Sequence, residues 1–129
     1  MTEATEKLSV LVVEDESLIA MFLEDMLIDM GHEIGAVAAR MEDAILAART
    51  GSFGCAIVDV NLDGTPSHPV AEILRERGIP FVLATGYGAA GLHPGYAGAS
   101  STLQKPFTQA DLQAALSRVV AARSRDPAN

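Results

Sequence analysis

The chain has 129 residues, with 17 acidic against 9 basic side chains and a formal charge of −8. That length supports one domain with a single core, and the lack of a basic stripe argues against nucleic acid or an anionic membrane as a partner. No apolar run approaches the roughly 20 residues of a membrane helix, and residues 1–7 carry no signal-peptide pattern. A soluble, cytoplasmic protein with protein or cation partners is expected.

Apolar runs alternate with helical patterns, which favours βα units around a parallel sheet. Ser9 to Val13 reads as a strand buried on both faces. Ile19, Phe22, Leu23, Met26, Leu27 and Met30 then mark one helical face that stops at Gly31. Glu33 to Ala38 predicts a second strand, followed by a helix with Met41, Ala44, Ile45 and Ala48 inward and an end near Gly51. Phe53 to Val58 reads as a third strand that delivers Asp59 to its carboxyl end. Cys55, within that run, reads as a buried small hydrophobe.

A turn over Asn61-Leu62-Asp63-Gly64-Thr65-Pro66 leads to a helix with Val70, Ile73 and Leu74 inward, closed by Gly78. Phe81 to Ala84 is the fourth strand. Residues 86–100 hold five glycines and Pro94. Each interior glycine costs a helix about 1 kcal/mol, so a fourth helix is expected to be short or irregular. Ser101 to Gln104 is a short fifth strand, and Thr108 with Asp111 resembles a capping box for a last helix that buries Leu112, Ala115, Leu116 and Val119. The folded domain is expected over 8–123, between tails at 1–7 and 124–129. His32, His68 and His93 are expected at the surface, Tyr96 in packing, and Tyr87 is a candidate partner contact.

If the strands are parallel with right-handed crossovers, their carboxyl ends share one edge, where ligands of such sheets bind. Asp15, Asp59, Thr85 and Lys105 then converge. A carboxylate such as Asp59 can attack phosphorus to form an acyl phosphate, and the charge that develops on the phosphoryl oxygens calls for fixed donors and cations. Asp15 and Asp59 are the candidate ligands for Mg²⁺, with Glu14 a candidate through water and Asn61 through its backbone carbonyl. Lys105 would pair with a phosphoryl oxygen and the Thr85 hydroxyl would donate to another. Two carboxylates about 5 Å apart repel by roughly 3 kcal/mol at an effective dielectric near 20, more than one lysine offsets, which also favours a metal.

The set Val-Val-Glu14-Asp15-Glu16, Ile-Val-Asp59-Val-Asn61, Ala-Thr85-Gly86 and Lys105-Pro106-Phe107 resembles the receiver domains of two-component response regulators, from about Leu8 to Arg123. That resemblance implies a flavodoxin-like, doubly wound α/β fold with five parallel strands in the order 2-1-3-4-5. It further implies Asp59 as phosphoacceptor, Glu14 and Asp15 as the acidic pair, Thr85 and Lys105 as the switch pair, and Mg²⁺ as cofactor. A histidine kinase or phosphotransfer protein would be the phosphoryl donor. A downstream protein would read the signal from a stand-alone regulator, monomeric or dimerising on phosphorylation, or the chain would act as a phosphate sink. Two features depart from the usual pattern. Thr102 stands where receivers usually carry an aromatic switch residue, and Pro80-Phe81-Val82-Leu83-Ala84-Thr85-Gly86-Tyr87-Gly88 is similar to an alphaproteobacterial receiver group with a Phe-Ala-Thr-Gly-Tyr stretch.

Two other classes compete. One is a haloacid-dehalogenase-type phosphatase, which needs a second aspartate two residues after the nucleophile. Asn61 occupies that position, and an amide cannot act as a general acid near neutral pH. The other is a binding module that is never phosphorylated, against which the intact site residues argue.

Overall fold

The computed structural model describes residues 7–86 and 92–124. Five strands form one parallel sheet: β1 (Ser9–Val13), β2 (Glu33–Ala38), β3 (Cys55–Asp59), β6 (Phe81–Thr85) and β7 (Ser101–Gln104), in the order β2-β1-β3-β6-β7. In chain order this is 2-1-3-4-5, the expected doubly wound topology. Every residue of β3 and β6 is buried, because both sheet faces are covered and the apolar runs have no solvent side to alternate toward.

Successive side chains leave a strand on opposite faces, so β1 splits its valines and leucine between two cores. Val10 and Val12, with Cys55, Ile57 and Val82, pack under α1 (Ser17–Asp29) and α4 (Gln109–Ser124). Leu11 and Val13, with Ala56, Val58, Phe81 and Leu83, pack under α2 (Met41–Thr50) and α3 (His68–Glu76). Cys55 is thus a core residue, as expected. Among the described residues no helix is long and apolar enough to cross a membrane.

Local signals set the boundaries. The expected capping box is present and reciprocal: the Asp111 amide donates to Thr108 Oγ1 at 3.1 Å and the Thr108 amide to Asp111 Oδ2 at 2.9 Å. Helix α1 ends at Gly31, whose φ of +91° allows the His32 amide to reach back to the Leu27 carbonyl at 2.9 Å. The expected turn after Asp59 is a small hairpin, β4 (Asn61–Leu62) against β5 (Thr65–Pro66). Its two-residue loop is Asp63-Gly64, both at positive φ, which is the dipeptide such a hairpin requires. In the glycine-rich stretch the described part is a single 3₁₀ turn, Pro94–Tyr96, consistent with the irregular fourth helix; Tyr87 lies outside the described residues.

Four expectations need correction. The third strand begins at Cys55, not Phe53, whose ring instead covers Gly35 and Gly51, where a Cβ would come within 2.8 and 2.4 Å of it. In α3 the fully buried face is Val70, Ala71 and Leu74, with Ile73 at its margin. The apolar face of α1 is wider than the core can use: Leu23 and Leu27 are buried, but Phe22 is 57% exposed, and Leu18 and Met21 are similarly open. Apolar periodicity marks a face without saying what covers it. His32 is buried rather than exposed, because its Nδ1 accepts the Leu8 amide at 3.1 Å and so satisfies a donor that burial would otherwise leave unpaired.

Burial holds the His32 pKa below its ordinary value, so the neutral ring is the native form. A histidine with a depressed folded-state pKa contributes stability that is present above its unfolded pKa and is lost as pH falls below about 6.5. His32→Asn, which keeps an acceptor but does not titrate, is expected to flatten the decline in urea midpoint between pH 7 and 5, recovering about 1 kcal/mol at the acid end relative to wild type. Parallel profiles for the two proteins would contradict this role.

Candidate functional site

The carboxyl ends of β1, β3, β6 and β7 deliver the predicted residues to one edge. β1 ends in Val13, so Glu14 and Asp15 begin the connection to α1, and the Glu14 amide donates to the Ala38 carbonyl at 3.0 Å. Asp59 is the last residue of β3, paired in register with Ala84, which brings Thr85 beyond it on the next strand. Lys105 follows β7 directly; its amide donates to the Thr85 carbonyl at 2.8 Å, and the Lys105-Pro106 peptide is cis. Glu14 is 1% exposed, Asp59 6% and Thr85 0%. Charged groups this deeply buried need partners.

The partner is Lys105. Its Nζ donates to Asp59 Oδ2 at 2.9 Å and to Glu14 Oε1 at 3.2 Å. Three further carboxylate oxygens take backbone amides: Glu14 Oε2 from Glu16 at 3.0 Å, Asp59 Oδ1 from Asn61 at 3.2 Å, and Asp15 Oδ2 from Asp63 at 3.0 Å. This last bond ties the start of α1 to the tip of the hairpin. Glu14, Asp15 and Asp59 each present a carboxylate oxygen within 4.8 Å of the others. With all three ionised, three carboxylates against one ammonium leave two negative charges at this edge.

The electrostatic strain falls on Glu14. Burial, and then the nearby charge of Asp59, push its pKa up to about 7, against the opposing pull of the Glu16 amide and Lys105. Burial alone would lower the pKa of the Lys105 ammonium, but its hydrogen bond to Asp59 and the charges of Asp59 and Glu14 hold it above the ordinary value. Hard oxygen donors around uncompensated negative charge suit a small divalent cation, and a site of this kind supplies two or three ligands while water fills the rest.

Asn61 is held to structural duty. Its side-chain oxygen accepts the Gly64 amide at 2.8 Å and shapes the hairpin, and its own amide supports Asp59. Thr102, where a switch aromatic was missing from the sequence, is exposed on β7.

Sequence reasoning missed two buried side chains behind the site. Ser67 precedes α3 and looks like a helix cap, but its hydroxyl donates to the Asp59 carbonyl instead. The Tyr96 hydroxyl donates to the Val60 carbonyl at 2.7 Å and accepts the Ser67 amide at 3.0 Å. The only sequence signal was that a tyrosine among glycines has to find a partner for its hydroxyl.

His68 is more than a surface residue, whereas His93 is exposed as expected. His68 is half-buried, and the two rings stack at 3.7 Å with planes 2° apart, beside Glu72. Imidazole lone pairs lie in the ring plane, so two parallel rings do not aim at a common ion, and His93 Nδ1 already accepts the Gly95 amide at 2.8 Å. As arranged, this second cluster is packing rather than coordination.

Beside Lys105 an apolar groove of about 390 Å³ runs between α1 and the last loop, lined by Ile19, Phe22, Met26, Pro106 and Phe107. Of the open apolar residues of α1, Phe22 lines this groove, and Leu18 and Met21 do not.

Comparison with known proteins agrees with this architecture. Over 127 residues the chain is 30% identical to the phyllosphere-induced regulator PhyR of Methylorubrum extorquens, covering 93% of this chain and 48% of that protein. It is 34% identical over 116 residues to the transcriptional regulatory protein PdtaR of Mycobacterium tuberculosis, covering 86% of this chain and 56% of that one. The chain therefore spans about half the length of the curated relatives it matches. The solution structure of SdrG from Sphingomonas melonis superposes with a TM-score of 0.76 at 38% identity, covering 88% of this chain and 97% of that one. The family model described as the response regulator receiver domain matches residues 10–117, and the chain belongs to that family.

Proposed function

We propose that the chain is a phosphoacceptor module in a two-component relay, in which Asp59 carries a transient phosphoryl group. The observation that carries this reading is a nearly buried aspartate bonded to the Lys105 ammonium and flanked by two further carboxylates. An Asp59 oxygen attacks the phosphorus of a phosphohistidine or a small acyl phosphate. The bond from phosphorus to the donor's nitrogen or oxygen breaks, and the electron pair leaves with the donor. Lys105, released from the Asp59 oxygen, follows the negative charge onto a phosphoryl oxygen, and Thr85 donates a hydrogen bond to another. Asp15, Asp59 and the Asn61 carbonyl are the proposed ligands of Mg²⁺, with Glu14 acting through water. When bound, that ion neutralises charge on the transferring group. A phosphatase reading is disfavoured because the Asn61 side chain holds the hairpin and offers no acid to turn the acyl phosphate over.

The donor would be a histidine kinase or phosphotransfer protein seated on the groove between α1 and Phe107. Lys105 lines both that groove and the acidic pocket, so a partner docked there reaches Asp59 directly. The output would be read by a further protein, in keeping with the regulatory names of the relatives.

Incubation with acetyl phosphate and Mg²⁺, followed by intact mass, is expected to add one phosphoryl group to wild type and none to Asp59→Asn. Labelling that persists in Asp59→Asn would remove the assignment. Phe22 is exposed and makes none of the hydrogen bonds of the acidic pocket, so Phe22→Asp is expected to slow transfer from a phosphohistidine protein at least tenfold, the loss of about 1.4 kcal/mol of docking, while labelling by acetyl phosphate proceeds at the wild-type rate. Equal slowing with both donors would place the defect in the pocket instead.

A further inference from the structure

We infer that Tyr96 is the positioning residue of the phosphoacceptor loop and the mechanical link between that loop and the segment from Leu92 to Ser100. The inference rests on the phosphoacceptor reading of Asp59. Its basis is how the backbone carbonyls after β3 are held. The Asp59 carbonyl accepts the Ser67 hydroxyl, and the Val60 carbonyl accepts both the Tyr96 hydroxyl at 2.7 Å and the Ser67 amide at 3.1 Å. Tyr96 returns the interaction by accepting that same Ser67 amide at 3.0 Å.

Each hydroxyl has one proton, and both are committed to carbonyls, so the 3.3 Å approach between the two hydroxyl oxygens carries no further hydrogen bond in this arrangement. On the other side, the Val60 amide donates to the Ala84 carbonyl at 3.0 Å. Two consecutive peptide units are thereby fixed immediately before Asn61, whose carbonyl is the proposed metal ligand. Both Ser67 and Tyr96 are buried, so neither can replace these bonds with water.

The other end of Tyr96 is held just as firmly to α3. Arg75 Nη1 donates to the Gly95 carbonyl at 3.1 Å and to the Ala97 carbonyl at 2.8 Å, bracketing the tyrosine. The His68 ring meets the Tyr96 ring edge-on at 6.0 Å and is itself stacked on His93. Gly95 is enclosed so closely that a Cβ would fall 2.5 Å from the Glu72 carboxylate. A turn gripped at 93, 95 and 97 therefore reaches the Asp59 loop through one phenol. Any shift of that loop on metal binding or phosphorylation is transmitted to this turn, and by linkage the turn's position feeds back on affinity at the pocket. Exposed Thr102 offers no such route.

Tyr96→Phe keeps the ring and leaves the Ser67 amide bonded to the Val60 carbonyl, so the variant is expected to fold. Its Mg²⁺ affinity, read by titration of amide shifts, is expected to weaken roughly three- to tenfold, the range for one lost hydrogen bond. The change in hydrogen exchange at residues 95–98 that beryllofluoride with Mg²⁺ produces in wild type is expected to disappear. Arg75→Met is the comparison: it loosens the same turn but leaves the bond from Tyr96 to Val60 in place, so exchange at 95–98 should rise while Mg²⁺ affinity falls less than in Tyr96→Phe. Wild-type affinity and an intact beryllofluoride response in Tyr96→Phe would overturn the inference alone. A wild-type protein that binds neither Mg²⁺ nor beryllofluoride would overturn the phosphoacceptor reading and this inference with it.

Discussion

Burying two carboxylates, Glu14 and Asp59, around one lysine, with a third, Asp15, beside them, is the constraint on which the rest of the molecule depends. Lys105 bonds to Glu14 and Asp59, and backbone amides from both flanking loops take one further oxygen of each of the three carboxylates, but the charge is not balanced. A parallel sheet makes the arrangement possible because its strand ends fall on one edge, where four chain segments can each contribute a side chain without bending far from regular structure. The fully apolar strands behind the edge are the rigid support. β3 and β6, buried throughout, fix Asp59 and Thr85 against each other, and the bond from the Lys105 amide to Thr85 fixes β7 in turn.

The loops in front of the sheet act as a second layer. The Asp63-Gly64 hairpin presents an amide to Asp15, and Asn61 closes that hairpin while supporting Asp59. Behind it, Ser67 and Tyr96 hold the same stretch from the α3 side. The β3 to α3 connection is thus held from outside by Asp15, the Ala84 carbonyl and Tyr96, and from within by Asn61 and Ser67.

Much of this was legible in the sequence for identifiable reasons. Strands buried on both faces appear as unbroken apolar runs, so the sheet and the side chains at its ends followed from one another. The last helix was legible because its capping residues and its stripe of Leu112, Ala115, Leu116 and Val119 agree. What escaped was long-range and polar. Tyr96 meets Val60 across 36 residues and His32 meets Leu8 across 24, and no local pattern encodes either. Ser67 was hidden by its resemblance to an ordinary helix cap. The exposed part of α1 was misread for a different reason: an apolar face open to solvent has the same periodicity as one that packs on the core.

The central claim, an unbalanced buried charge awaiting a divalent ion, is tested most directly by stability against pH with and without Mg²⁺. Glu14 has a folded-state pKa raised from 4.5 to about 7, so its contribution to stability is full below pH 4.5 and is lost as pH rises through 7. Metal-free protein should therefore lose urea stability between about pH 4.5 and 7, Glu14→Gln should not, and millimolar Mg²⁺ should restore the wild type at pH 8. A wild-type midpoint at pH 8 that does not move with Mg²⁺ would contradict the account.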